Sequence, residues 1–163
     1  MKAFHGARIL CMLVMASWAF FACGIQSFED LTNLNPPLAL EVTAHITPVR
    51  SLELTFISYN YENNFSGFNV FVGIDSDQVN RQTRVIPNIR TESEPTFIMN
   101  NRTFLAGPQV VTLTITPEYR NRPPLSEIGE RFSIGVAAYD AVYRERSRVS
   151  RPVDVDWTDG SSP

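Results

Sequence analysis

The chain has one lysine, Lys2, in 163 residues, and both of its cysteines, Cys11 and Cys23, fall within the first 23 positions. Its two histidines are His5 and His45. Beyond position 23 there is no further thiol, no amine side chain and a single imidazole. Disulfides, Schiff-base chemistry and cysteine–histidine nucleophile pairs are thereby excluded from that part of the chain. The first apolar run, residues 9–21, is 21 − 8 = 13 residues long and breaks at Gly24, Gln26 and Ser27. A spanning helix needs about 20 apolar residues.

Lys2 and Arg8 precede this apolar run, and its length matches the h-region of an export signal. A cleavage that leaves a free terminus wants small residues one and three positions before the cut. Ala22 fits the first of these positions, but Phe20 occupies the other. The segment Phe20-Phe21-Ala22-Cys23 instead resembles a bacterial lipoprotein lipobox, departing from it at Phe21, where a small residue is usual. The resemblance implies a signal peptide over 1–22 and lipidation of Cys23. With Gly24 rather than aspartate next, it implies an outer-membrane address in a cell envelope with two membranes. An uncleaved membrane anchor and simple secretion are the alternatives.

Cleavage before Cys23 leaves 163 − 22 = 141 residues, one domain's worth, long enough for a core without staples. It removes two basic residues and no acid, so 14 − 2 = 12 arginines face 17 acids, a net charge of −5. That balance argues against a nucleic-acid partner or a polybasic membrane patch.

Residues 23–37 end in Pro-Pro, show no sustained period and are expected to be a tether, with a short helical turn over Phe28, Leu31 and Leu34 as the alternative. From 38 onward the pattern alternates, with β-branched residues and closely spaced turn signals. Strands are predicted over 38–44, 51–57, 68–72, 110–116, 132–139 and 149–157, punctuated by Pro48, Pro87, Pro95, Pro108, Pro117, Pro123 and Pro124. Helical periodicity is absent from the segment. The expected class is all-β, an antiparallel β-sandwich over 38–157, with a flexible tail over 158–163. The long stretch before the fourth of these strands contains a predicted hairpin, residues 96–99 and 103–105 around Asn100-Asn101-Arg102, and otherwise a meandering edge or loop.

The series SLELTF, SGFNVFV, EIGERFSIGVAAYD and VSRPVDV, spread over residues 36–157, resembles a fibronectin type III domain. The resemblance implies an immunoglobulin-like sandwich and says little about activity. Phe56 stands where that family carries tryptophan, keeping an aromatic plug. Phe132 stands where it carries the corner tyrosine, so the hydroxyl that would bond back to the backbone is missing.

No catalytic constellation emerges, no cofactor is implied, and the chain is expected not to be an enzyme. His45 lies in a strand, where a structural or solvent-facing role is the ordinary one. Asp75 and Asp77 with Asn80, and Asp154 and Asp156 with Asp159, each offer too few oxygens for a hard cation and are expected to be surface acids, so no metal is assigned. The sandwich resemblance brings two loops to one end, YNYENNF at 59–65 and the segment 140–148. Tyr61, Tyr143, Arg144 and Arg146 are the candidate rim there, suited to a protein or glycan partner by contact area and adaptable hydrogen bonding. The bland alternative has Tyr59 and Phe65 capping the core while the arginines solvate a hairpin. The expected function is a non-catalytic, lipid-anchored envelope lipoprotein with a binding module, or else an accessory lipoprotein docked to a larger envelope complex.

Overall fold

The computed structural model describes residues 34–45, 51–60, 64–99 and 107–157. They include the strands β1 (Leu38–His45), β2 (Ser51–Ser58), β3 (Phe65–Gly73), β4 (Phe97–Ile98), β5 (Gln109–Ile115), β6 (Arg131–Asp140), β7 (Glu145–Arg146) and β8 (Val153–Asp156). All of these pair antiparallel, in two sheets. One has the order β1-β2-β5, the other β4-β3-β6-β7, with β8 also paired to β6. The fold is mostly β and sandwich-like.

The two-residue period of the strands decides what the sheets enclose. Leu52, Leu54 and Phe56 of β2 face Phe68, Val70 and Val72 of β3 and Phe132, Ile134 and Val136 of β6 in one buried cluster. Phe56 meets Phe68 edge-on at 4.8 Å between ring centroids, so phenylalanine fills the plug position expected of it. Leu34 belongs to the same cluster, and Asn35 and Asn60 exchange two hydrogen bonds, Asn35 N to Asn60 Oδ1 at 2.6 Å and Asn60 Nδ2 to Asn35 O at 2.7 Å. The packed domain therefore includes residues that the sequence pattern assigns to the tether. Phe28, Leu31 and Leu34 stand at spacing three, a series too short to report burial.

Residues 74–96 cover part of the outer face of the five-stranded sheet, through Val79 and Val85, and then run along its β3 edge. Ile86 N donates to Val70 O and Val72 N to Arg84 O, so this stretch extends the β3 edge, and Phe97 and Ile98 continue it opposite Phe68 and Gly67. The first arm of the predicted hairpin is thus an edge strand, Phe97–Ile98; its turn and second arm lie outside the described residues. Gly67 is required at φ +144°, because a Cβ there would collide with the backbone O of Phe97. Val79 and Val85 pack with Phe71 and Ala137 in a second, smaller apolar cluster.

Two short α-helices stand between the strands: α1 (Ser76–Asn80) and α2 (Pro117–Arg120). Neither is long enough to show a period. The Asp75 carboxylate caps α1 by accepting from Gln78 N at 2.8 Å, and Pro117 opens α2. After α2, the Arg120 guanidinium donates to the carbonyls of Leu125, Ile128 and Gly129, pinning the turn before β6. Phe132, without a hydroxyl, packs on Trp157 at 6.2 Å instead. Burial beside this turn raises the Tyr119 pKa above its ordinary value of 10.0, against a smaller opposing effect of its backbone hydrogen bond with Ile89.

The predicted final strand, 149–157, is displaced and interrupted. Between the pairs Tyr139–Arg146 and Ile134–Val153, β6 advances 139 − 134 = 5 residues and its partner 153 − 146 = 7. Serine hydroxyls bridge the surplus: Ala138 N donates to Ser147 Oγ at 2.9 Å and Val136 N to Ser150 Oγ at 3.1 Å.

Candidate functional site

The β2–β3 and β6–β7 connections leave the sandwich at one end, which Asn35 also reaches through Asn60. The second connection is a four-residue loop, Ala141, Val142, Tyr143 and Arg144, closing the pair Asp140–Glu145. Asp140 organises it. Its side chain is buried, with Oδ1 accepting from Val142 N at 2.8 Å and Tyr143 N at 3.1 Å. The other carboxylate oxygen accepts from Asn64 Nδ2, which ties the loop to the β2–β3 connection. Ala141 N donates to Ser66 Oγ at 3.0 Å, and Ser66 Oγ donates to Asn64 O at 3.1 Å, a second tie at the same place. Arg144 takes φ +57°, the left-handed step that returns the chain to β7.

Held this way, Val142 is 72% and Tyr143 69% exposed at the loop tip. Arg144 is exposed beside them. Arg146 is not with them. Its guanidinium bonds Glu94 through both carboxylate oxygens and lies 5.4 Å from the centre of the Phe71 ring, on the sheet's outer face. Glu94 also accepts from the buried Asn69 amide at 2.7 Å, so the three side chains fasten the 74–96 segment to β3. Alternation explains the difference: Arg146 pairs with Tyr139, and both point to the covered face. Tyr61 and Cys23 lie outside the described residues. Of the bland alternative's two aromatics, Phe65 is buried against Phe68, while Tyr59 stays partly exposed.

No family model, curated protein or solved structure matches this chain.

The residues singled out for other chemistry are accounted for locally. His45 sits exposed on the outer face of the three-stranded sheet with Glu53 at 3.8 Å. Asp75 is the cap of α1, Asp154 accepts from Ser133 Oγ at 2.5 Å, and Asp156 bonds Arg131 at 2.7 Å. These acids border a cleft of about 580 Å³ at the end of the sandwich opposite the loop tip. No group of three metal-binding side chains occurs among the described residues. Asp140 is the loop-organising residue whose role the sequence pattern passed over. An aspartate closing a strand just before a hairpin loop is a turn signal, and its carboxylate often binds the backbone two or three residues on.

Proposed function

We propose that this chain is a lipid-anchored envelope lipoprotein, tethered through Cys23, whose fibronectin type III-like sandwich acts as a non-catalytic contact module through its loop end. The observation that carries this reading is the tip. Two large apolar side chains and an arginine stand in water on a loop that a buried carboxylate fixes in place, so contact there costs little ordering entropy. The order β1-β2-β5 against β4-β3-β6-β7 supports the finer fold assignment, and the Phe20-Phe21-Ala22-Cys23 segment supports the anchor. Metabolic labelling with a palmitate analogue should mark the wild type in the membrane fraction and leave Cys23→Ser unlabelled. Equal label, or none, in the two proteins would remove the anchor.

A further inference from the structure

The exposed apolar side chains are segregated along the axis of the sandwich. Among the described residues, Leu38, Tyr59, Val110, Val142 and Tyr143 stand at the loop end, and Ile98, opposite Gly67, lies just below it. Ile74 alone is at the far end. Leu38, Ile57 and Val110 are register partners and form an apolar row across the end of the three-stranded sheet. The next outward-facing row is Glu41, Thr55 and Thr112, followed by Thr43, Glu53 and Thr114. The far end carries Asp75, Glu127, Glu130, Asp154 and Asp156 together with Arg84, paired to Glu127, and Arg131, paired to Asp156. The outer face of the three-stranded sheet thus changes from apolar to polar within a few residues of its tip.

The chain enters at that same apolar end, where Leu34 is buried and Asn35 is bonded to Asn60. Between Cys23 and Leu34 the chain advances 34 − 23 = 11 residues, a reach of at most about 40 Å. A ten-residue strand such as β6 is itself about 33 Å long. The far end could approach the anchoring membrane only if the linker ran back along the whole sandwich. From these two facts, and resting on the anchor reading above, we infer that the loop end faces the bilayer that holds Cys23 and that Val142 and Tyr143 enter its interface.

The chemistry of the tip suits that occupant. Val142 is an apolar wedge. Tyr143 has a ring for the acyl boundary and a hydroxyl for the headgroup layer. Arg144 stands where lipid phosphates would lie. Two side chains bind a bilayer weakly, but a short tether holds them near the surface at an effective concentration on the order of millimolar. Tip and lipid then act as two signals for one membrane.

The test uses the full-length protein, acylated in cells and reconstituted into vesicles of phosphatidylethanolamine and phosphatidylglycerol. Tyr143→Cys and, separately, Ile74→Cys carry an environment-sensitive fluorophore. The expected result is a blue shift and loss of iodide quenching at position 143, with neither at 74. An acylated protein whose label at 143 is quenched as readily as that at 74 overturns the inference and leaves the anchor standing. Shielding at 143 in native envelopes but not in lipid vesicles also overturns it, in favour of a protein occupant. Protein recovered unacylated and outside the membrane fraction overturns the anchor reading, and the inference with it.

Discussion

Two buried side chains set what single substitutions should do. Asp140 gives three acceptor contacts across two connections, so Asp140→Ala leaves Val142 N, Tyr143 N and the Asn64 amide without their partner. Water can reach the exposed loop and recover part of the loss, which places the cost at about 2 kcal/mol. Denaturant unfolding followed by Trp157, the one tryptophan left after cleavage before Cys23, should show it. A midpoint equal to that of wild type would mean that the carboxylate does not organise the loop. Tyr119 controls a pH effect. Its folded pKa is raised by burial, so it is neutral in both states below the unfolded value of about 10, and its contribution is complete there. Above that value the unfolded chain releases the proton first, and stability falls until the folded pKa is passed. Tyr119→Phe should be less stable at neutral pH through loss of the Ile89 contact, yet decline less steeply above pH 10. An unchanged alkaline slope would assign the decline to other groups.

At the scale of elements, the interrupted last strand is the most informative case. Its alternating valines predict one continuous strand, but two surplus residues force a gap that Ser147 and Ser150 bridge through their hydroxyls. Ser150→Ala should cost about 1–3 kcal/mol, because it strands the N–H of fully buried Val136. Thr43→Ala, on an exposed face, should stay within about 0.5 kcal/mol of wild type. Similar losses for both would show that water replaces the serine. The inward-facing residues of β2 and β5 were legible because a two-residue period reports burial directly. In β1 the register shifts between Leu38 and Glu41 and leaves Leu38 exposed, and β6 is buried on both faces, so its burial carries no period. The covering segment was not legible: Val79, Val85 and Ile86 reach their two clusters through a five-residue helix and an isolated bridge, neither of which repeats long enough to leave a pattern. The same limit applies to the rim. Residue types nominated Arg146 alongside Tyr143 and Arg144, but only the register with Tyr139 reveals that Arg146 points to Glu94.

For the whole molecule, the scarcity of lysine gives a simple measure of processing. Before cleavage the chain carries two kinds of primary amine, Lys2 Nζ and its terminal amine; all its other basic side chains except the histidines are guanidinium groups. Cleavage before Cys23 removes both and exposes one new amine on Cys23 itself. The cut changes the net charge from −3 to −5, and the amine count falls from two to one. Acylation of the new terminus takes it to none. An amine-reactive tag followed by intact-mass measurement should therefore add at most one group to protein extracted from membranes. Two groups would show that residues 1–22 are retained, making the apolar run itself the anchor. Retention would lengthen the link between the membrane and Leu34 but still deliver it to the loop end of the sandwich, where Asn35 bonds Asn60. The mass therefore decides between a lipid and a peptide anchor without disturbing the polarity of the domain that either one holds.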